Sequence, residues 1–155
     1  MNDLDLSVII LSFNTKNITH QCLLKLKEAI NFCQKKLANK IEVILVDNGS
    51  SDGSLEMIRQ DHPWVKLIAL KENTGFSKGN NIGMKESKKP FMLLLNSDVY
   101  LNEDNLYKAL AYFRVNLNCD VLGPKLTYAS CKFQPSSGSL PNPLNIIFWI
   151  LGFSK

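Results

Sequence analysis

Three apolar runs that each end in a polar, turn-forming cluster constrain the fold of this chain more than any other feature. The runs cover residues 6–13, 41–46 and 91–95, and the clusters after them begin at Asn14, Asp47 and Asn96. Near-continuous runs of Val, Ile and Leu are typical of strands buried on both faces of a sheet. Helical patterns separate the runs, which favours parallel strands joined by right-handed crossovers. The sequence therefore predicts an α/β fold with a mostly parallel sheet flanked by helices.

The carboxyl ends of parallel strands share one edge of a sheet, and open α/β sheets bind ligands at that edge. Two carboxylates, Asp47 and Asp98, follow the second and third apolar runs. We therefore expect the functional site at this edge.

Weaker patterns predict the remaining elements. Helices are expected from about Ile18 to Ala38, after an N-cap at Ser51 or Asp52, between 77 and 88, and over 103–116 with Asn102 as N-cap. An edge strand is expected at 65–70, short strands at 121–122 and 125–128, and a loop at 130–143. The helix between 77 and 88 is required by the crossover, although the Gly and Asn residues there are poor helix formers.

Composition indicates an ordinary globular protein and excludes some partners. The 155 residues, 45% of them hydrophobic, are enough for one domain with a core. A net charge of +4 helps to attract a diphosphate, but no dense Lys/Arg run interleaves with aromatic residues, so no nucleic acid is expected. Four cysteines without CxxC spacing fit reduced thiols rather than zinc ligands. Both histidines, His20 and His62, are predicted to lie on the surface.

The polar clusters after the second and third runs each have a functional and a structural interpretation. Asp47 can accept hydrogen bonds from a base or ribose, and the helix that follows presents its N-terminus to a phosphate. Asp98 can hold a divalent cation that bridges to a diphosphate, since hard oxygen ligands suit Mg²⁺ or Mn²⁺. The alternative for both is a capping turn, because Asn-Gly and Asp-Gly are common turn pairs and Asp often caps helices.

Four short polar segments stand in order along the chain. They are Ser-Phe-Asn at 12–14, Val-Asp-Asn-Gly-Ser-Ser-Asp-Gly at 46–53, Asn-Thr-Gly-Phe-Ser-Lys-Gly-Asn-Asn-Ile-Gly at 73–83 and Leu-Asn-Ser-Asp at 95–98. Together they resemble the motifs of family 2 glycosyltransferases, in the branch with bacterial rhamnosyltransferases. The resemblance covers about Leu6 to Lys125. Each motif is weak alone, whereas four in order at matching intervals are specific.

This resemblance implies a GT-A fold and inverting transfer of a sugar from a nucleoside-diphosphate sugar, with Mg²⁺ or Mn²⁺ as cofactor. The donor would be UDP- or dTDP-linked, with dTDP-rhamnose as one candidate, and the acceptor a saccharide or a lipid-linked molecule of cell-wall or polysaccharide biosynthesis. Asp47 would contact the base, Asp98 would be the metal ligand, and residues 73–81 would line the donor pocket. The predicted donor-binding residues are Ser12, Asn14, Asp47, Asn48, Gly49, Asn73, Gly75, Phe76, Asn80, Asn81, Asn96 and Asp98.

Two features depart from the family pattern. Asn96 stands where a second metal-side carboxylate is frequent, and Ser97 where this branch often has proline. The family's general base is usually a carboxylate from a later part of the chain, and no Asp or Glu follows Asp120. No catalytic base is therefore evident. We expect the donor-binding half of an enzyme, truncated at the C-terminal side, and the alternative is a catalytically inactive nucleotide-binding or assembly module.

The end of the chain predicts contacts beyond the donor domain. We expect a nucleotide-sugar-binding domain at 1–128, and at 129–155 a loop and an apolar segment that begins an incomplete acceptor region. About ten apolar residues from Leu144 to Phe153 are too few to span a bilayer, which takes roughly 20. The expected roles of this segment are peripheral membrane contact, self-association or packing on the sheet. Because no secretory signal is apparent, we expect a cytoplasmic location, including the cytoplasmic face of the membrane.

Overall fold

A computed structural model describes residues 4–128, 130 and 132–135 of the chain. The chain divides into two compact units, Met1–Cys119 and Asp120–Lys155, and the domain boundary at residue 128 stays a prediction. In the described part of the first unit, strands and helices alternate. They are β1 (Leu6–Ser12), α1 (Lys16–Leu37), β2 (Ile41–Asp47), α2 (Ser54–Asp61), β3 (Lys66–Ala69), α3 (Phe76–Lys85), β4 (Phe91–Asn96) and α4 (Asn105–Val115).

These strands form a parallel sheet in the order β3-β2-β1-β4. In the register, Ile10 of β1 lies opposite Leu45 of β2 and Leu95 of β4. The predicted α/β fold with a mostly parallel sheet is therefore confirmed, and the carboxyl ends of the strands meet at one edge. β4 differs from the expectation of burial on both faces, because Met92 and Leu94 are about half exposed on this edge strand.

Helices cover the two faces of the sheet unequally. Side chains of α1, α2 and α4 form the main core with one face of the sheet, which includes Val8 and Ile10 of β1. α3 packs on the other face, against β1 and β2. It comes close because Gly83 has no side chain: a Cβ there would lie 2.5 Å from Ile9 Cγ2. Close packing thus explains why the predicted helix forms from a sequence with poor helix propensity.

Two helices begin later than the sequence predicted. α2 begins at Ser54, and its N-cap position is held by the left-handed Gly53 rather than by Ser51 or Asp52. Asp52 lies just before the helix, where its Oδ1 accepts a hydrogen bond from the Ser54 N–H at 3.0 Å. α4 begins at Asn105 rather than 103. The reason is a preceding turn in which the Asn102 N–H donates to Asn105 Oδ1 at 2.7 Å, so Asn102 is not the N-cap.

The predicted surface position of His62 is wrong. Its side chain is 2% exposed, and its Nε2 lies 3.0 Å from Nδ1 of His20 on α1. The ring also makes an edge contact with Trp64. Burial and the neighbouring His20 lower the pKa of His62, so the buried ring is held neutral.

In the described part of the second unit, β5 (Leu126–Thr127) pairs antiparallel with β6 (Phe133–Gln134). β5 falls within the strand predicted at 125–128, whereas the strand predicted at 121–122 is absent and β6 lies in the predicted loop. A two-residue strand is too short to show alternation of apolar and polar residues, so the sequence did not predict β6 or its pairing with β5. The apolar segment at 144–153 and Cys131 lie outside the described residues. Cys22 and Cys33 are free thiols. No described helix combines the length and apolar character needed to cross a bilayer.

Candidate functional site

A cavity of about 480 Å³ opens at the carboxyl edge of the sheet. It lies where β1 and β4 end, at the starts of α1 and α3 and beside the loop after β2. Its lining consists of Leu11, Phe13, Thr15, Ile18, Asn48, Asn73, Gly75, Phe76, Asn96, Ser97 and Asp98. Apolar and aromatic groups from β1 and the helix starts therefore face amides and one carboxylate from the loops.

One wall of the cavity is made by two loops that Asn48 joins. Asn48 Oδ1 accepts hydrogen bonds from the Thr74 N–H at 2.9 Å and the Thr74 hydroxyl at 3.1 Å, and its Nδ2 donates to Asn73 Oδ1 at 2.8 Å. Gly49 has a φ of +85°, and a Cβ on it would lie 2.8 Å from the Glu72 carbonyl carbon. The absence of a side chain at residue 49 thus lets the loops touch, and the Asn48 amide holds them.

Asp47 lies beneath this wall and does not line the cavity. It is fully buried, and its Oδ1 accepts a hydrogen bond from the Ser50 N–H at 2.9 Å. Its Oδ2 is also buried and has no hydrogen-bond partner among the described residues. A buried carboxylate oxygen without a partner is costly, so this atom has unused capacity to accept a hydrogen bond.

Asn14 connects the end of β1 to the loop after β2. Its N–H donates to Ser50 Oγ at 2.9 Å, and its Oδ1 accepts the Ser51 N–H at 2.9 Å. Asp52 makes a parallel link, since its Oδ2 accepts the N–H of Lys16 at the start of α1 at 2.9 Å. Burial opposes ionisation of Asp52, but hydrogen bonds from the Ser54 hydroxyl and from the N–H groups of Lys16 and Ser54 outweigh it and lower the pKa of the carboxyl below its usual value. The loop from 47 to 53 is therefore rigidly attached to the rest of the site.

A cluster of hydroxyl groups lies beneath the opposite wall. Ser12 Oγ is 3.1 Å from Thr15 Oγ1 and 2.9 Å from Thr19 Oγ1, and the two threonine oxygens are 2.9 Å apart. Thr15 Oγ1 also lies 3.5 Å from Ser97 Oγ. This hydroxyl cluster therefore connects the start of α1 to the loop that carries Asp98.

The segment from Asn96 to Asp98 supplies the oxygen-rich side of the cavity. Asp98 is the only carboxylate among the lining residues of the described chain, and its charge acts on the buried thiol of Cys22. Burial, with Asp98 as the second cause, raises the pKa of Cys22 to about 12, so this thiol stays protonated. No group of three or more His, Cys, Asp or Glu among the described residues is arranged to hold a metal ion.

The oxygens that are present nevertheless fit a hard cation. Asp98, Asn96 and Ser97, which carry carboxylate, amide and hydroxyl oxygens, all line the cavity. Mg²⁺ is usually bound by one or two carboxylates together with substrate phosphates and water, rather than by a full protein cage. The donor set is therefore compatible with a cation that arrives with a diphosphate.

The structure brings about half of the predicted site residues to the cavity. Asn48, Asn73, Gly75, Phe76, Asn96 and Asp98 line it, whereas Ser12, Asn14, Asp47, Gly49, Asn80 and Asn81 do not. Asn80 is buried and donates to the Phe76 carbonyl at 2.9 Å, and Asn81 is exposed on α3.

Sequence reasoning missed several lining residues, among them Phe13, Thr15, Ile18 and Ser97. Phe13 is 42% exposed and lies between two predicted residues of the first motif. Its position directly after a buried strand was a signal that could have identified it.

Comparisons with known proteins agree with this geometry. The sequence profile of Glycosyl transferase family 2 matches residues 7–147. An uncharacterised glycosyltransferase of Bacillus subtilis, YfnE, is 30% identical over 120 residues, which are 76% of this chain and 29% of that protein. The poly(ribitol-phosphate) β-N-acetylglucosaminyltransferase TarS of Staphylococcus aureus is 27% identical over 134 residues, 84% of this chain and 22% of TarS. The chain thus spans less than a third of the length of these two relatives.

Solved structures show the same relationship. Residues 1–349 of S. aureus TarS in complex with UDP-GlcNAc superpose with a TM-score of 0.60 and 26% identity, over 72% of this chain and 31% of that one. The mannosyltransferase PcManGT of Pyrobaculum calidifontis, solved with GDP-Man and Mn²⁺, has a TM-score of 0.58 at 21% identity over 70% of this chain and 32% of that one, and supports the fold alone. The fold is the GT-A fold of glycosyltransferases. The chain belongs to glycosyltransferase family 2.

Proposed function

We propose that this chain is the donor-binding part of an inverting glycosyltransferase that uses a nucleoside-diphosphate sugar. The observation that carries the proposal is the cavity at the carboxyl edge of the parallel sheet, which combines aromatic side chains, amides and a carboxylate. Open α/β sheets bind ligands at this edge, and pockets of this composition suit a small polar ligand with an aromatic base.

The nucleoside end of the donor is assigned to the side of the cavity near β1 and β2. Phe13 and Phe76 are exposed aromatic rings that can stack against a base or a sugar. Oδ2 of Asp47 is buried and has no hydrogen-bond partner among the described residues, and it is the proposed acceptor for a hydrogen bond from a base or ribose that displaces the groups covering it. Asn48 keeps the 73–75 loop in place beside it.

The diphosphate end is assigned to the side near β4. Asp98, with Asn96 and Ser97 beside it, would hold Mg²⁺ or Mn²⁺, which neutralises the charge that a diphosphate leaving group develops. Asp98 is the sole carboxylate of the described lining, so the phosphate oxygens of the donor would complete the coordination.

The donor and acceptor are proposed from the motif resemblance together with the relatives. UDP- and dTDP-linked sugars are the first donors to test, dTDP-rhamnose among them, and the acceptor is a hydroxyl of a saccharide or lipid-linked polymer. TarS, whose name describes transfer to poly(ribitol phosphate), and a poly-β-1,6-N-acetyl-D-glucosamine synthase of S. aureus suggest cell-wall or polysaccharide synthesis. A cytoplasmic location, membrane contact and self-association stay predictions.

Calorimetric titration of the chain with UDP, dTDP and GDP, each with and without Mn²⁺, tests the proposal. We expect one nucleotide to bind best, and its affinity to fall when EDTA removes the cation. Asp98→Asn should abolish the dependence on the cation without changing the thermal unfolding temperature. Asp61→Asn, at the far end of α2, is the matched control because it removes the same charge from an exposed position.

Three results would contradict the proposal. If the wild-type chain does not bind any of the nucleotides, the proposed donor site is ruled out. If its affinity is the same with Mn²⁺ as with EDTA, the proposed role of the cation is ruled out. Equal losses in the Asp98 and Asp61 variants would show that net charge, and not the position of Asp98, governs the affinity.

A further inference from the structure

The hydroxyl cluster at the start of α1 has more contacts than a helix cap needs. Ser12, Thr15 and Thr19 form a closed triangle with oxygen–oxygen distances of 2.9–3.1 Å. Ser12 and Thr19 are fully buried, and neither has another side-chain hydrogen-bond partner among the described residues. Thr15 lines the cavity and reaches Ser97 from the triangle.

The number of hydroxyl hydrogens in the triangle decides the direction of the contact with Ser97. Each hydroxyl has one hydrogen to donate and two lone pairs to accept. The three bonds of the triangle use the three hydrogens of Ser12, Thr15 and Thr19, whichever way round the ring they point. Thr15 therefore has only a lone pair left, and the hydrogen in the contact with Ser97 must come from Ser97.

We propose that Thr15 is a positioning residue for the diphosphate side of the site: it accepts the Ser97 hydroxyl hydrogen and so turns the lone pairs of Ser97 Oγ into the cavity beside Asp98. There they accept hydrogen bonds from the water shell of the bound divalent cation. This inference rests on the proposed function. The Thr15–Ser97 distance of 3.5 Å is the longest in the cluster.

A cation at this position needs such acceptors. Asp98 is the only carboxylate of the described lining, and Mg²⁺ keeps several water ligands when few carboxylates are present. Each of those water molecules has hydrogens that point outward. Ser97 Oγ, with its own hydrogen committed to Thr15, offers only lone pairs to them. A freely rotating serine hydroxyl would often present its hydrogen instead.

The experiment measures Mn²⁺ binding in the presence of saturating UDP by electron paramagnetic resonance of free Mn²⁺. We expect Thr15→Val and Ser97→Ala each to weaken Mn²⁺ binding about fivefold, which is the typical effect of one lost hydrogen bond. Thr15→Ser keeps the hydroxyl and should bind Mn²⁺ as the wild type does. Thr127→Val, on the exposed strand β5, is the control for the same substitution elsewhere.

The double variant Thr15→Val/Ser97→Ala separates positioning from a general structural role. If Thr15 acts through Ser97, the double variant binds Mn²⁺ no more weakly than Ser97→Ala alone. Additive losses, or wild-type affinity in Thr15→Val, would overturn the inference. Thermal unfolding of each variant identifies loss of fold, and if Thr15→Val does not fold, Thr15→Ala, which also lacks the hydroxyl, takes its place in the comparison. Absence of Mn²⁺ binding by the wild type with UDP would overturn the proposed function itself.

Discussion

Replacing Gly49 with alanine tests how the cavity wall is built. At a φ of +85°, an alanine would adopt a left-handed conformation that costs roughly 1–2 kcal/mol. Its Cβ would also lie 2.8 Å from the Glu72 carbonyl carbon and 2.9 Å from Glu72 Cα, whereas carbon atoms prefer a separation of about 3.5–4.0 Å. Backbone atoms cannot rotate away as a side chain can, so overpacking adds about 1–3 kcal/mol. We expect the free energy of unfolding to fall by about 3 kcal/mol.

Gly53→Ala is the matched control because Gly53 has nearly the same φ, +82°, in the same loop. The nearest atom to a Cβ there is Nζ of the flexible Lys16 side chain, at 3.3 Å, so only the conformational cost of about 1–2 kcal/mol is expected. Urea denaturation of the two variants gives the comparison. Equal losses would refute the argument that contact between the loops, rather than backbone strain alone, requires glycine at position 49.

Other predictions concern the packing of α3, the contact between the loops, and the buried histidine. Gly83→Ala should lower the free energy of unfolding by about 1–2 kcal/mol despite the better helix propensity of alanine, because its Cβ would lie 2.5 Å from the fully buried Ile9. A free energy of unfolding that rises, as measured by urea denaturation, would contradict this. Asn48→Ala should raise the hydrogen-exchange rate of the Thr74 amide, which donates to Asn48, and weaken nucleotide binding; unchanged exchange would exclude the role of Asn48 in holding the loop. Because the pKa of His62 is lowered in the folded chain, the unfolded chain binds more protons at acidic pH. The free energy of unfolding should therefore fall as the pH drops below about 6.5, the ordinary pKa of histidine, whereas above that pH the ionisation of His62 should not affect it. Urea denaturation at several pH values checks this, and His62→Gln should reduce the slope.

Local patterns in the sequence were sufficient to predict the strands and loops that carry the site. The apolar runs identified β1, β2 and β4, and the polar clusters after them placed Asp98 and the 47–53 loop at the correct edge of the sheet. Such predictions succeed because strand burial and turn formation depend on neighbouring residues. The motifs that resemble family 2 glycosyltransferases likewise identified the family that the comparisons show.

The positions of adjacent side chains were less predictable. Asp47 and Asn48 follow each other at the end of β2, yet Asp47 is buried under the loop while Asn48 lines the cavity. Alternation along a strand shows that neighbouring side chains point to opposite sides, but not which side faces the cavity. The answer depends on where α3 and the 73–75 loop pack, and Gly83 and Gly49 decide this through contacts distant in sequence.

The sequence by itself thus determined the fold class, the edge of the sheet that carries the site, and the family. Only the tertiary structure decided which predicted residues reach the cavity, that Thr15 and Ser97 meet across it, and that His62 is buried against His20. The physical reason is the range of the interactions. Periodicity and turn chemistry act over a few residues, whereas Thr15 and Ser97 are separated by 82 positions in the chain and are brought together by the pairing of β1 with β4.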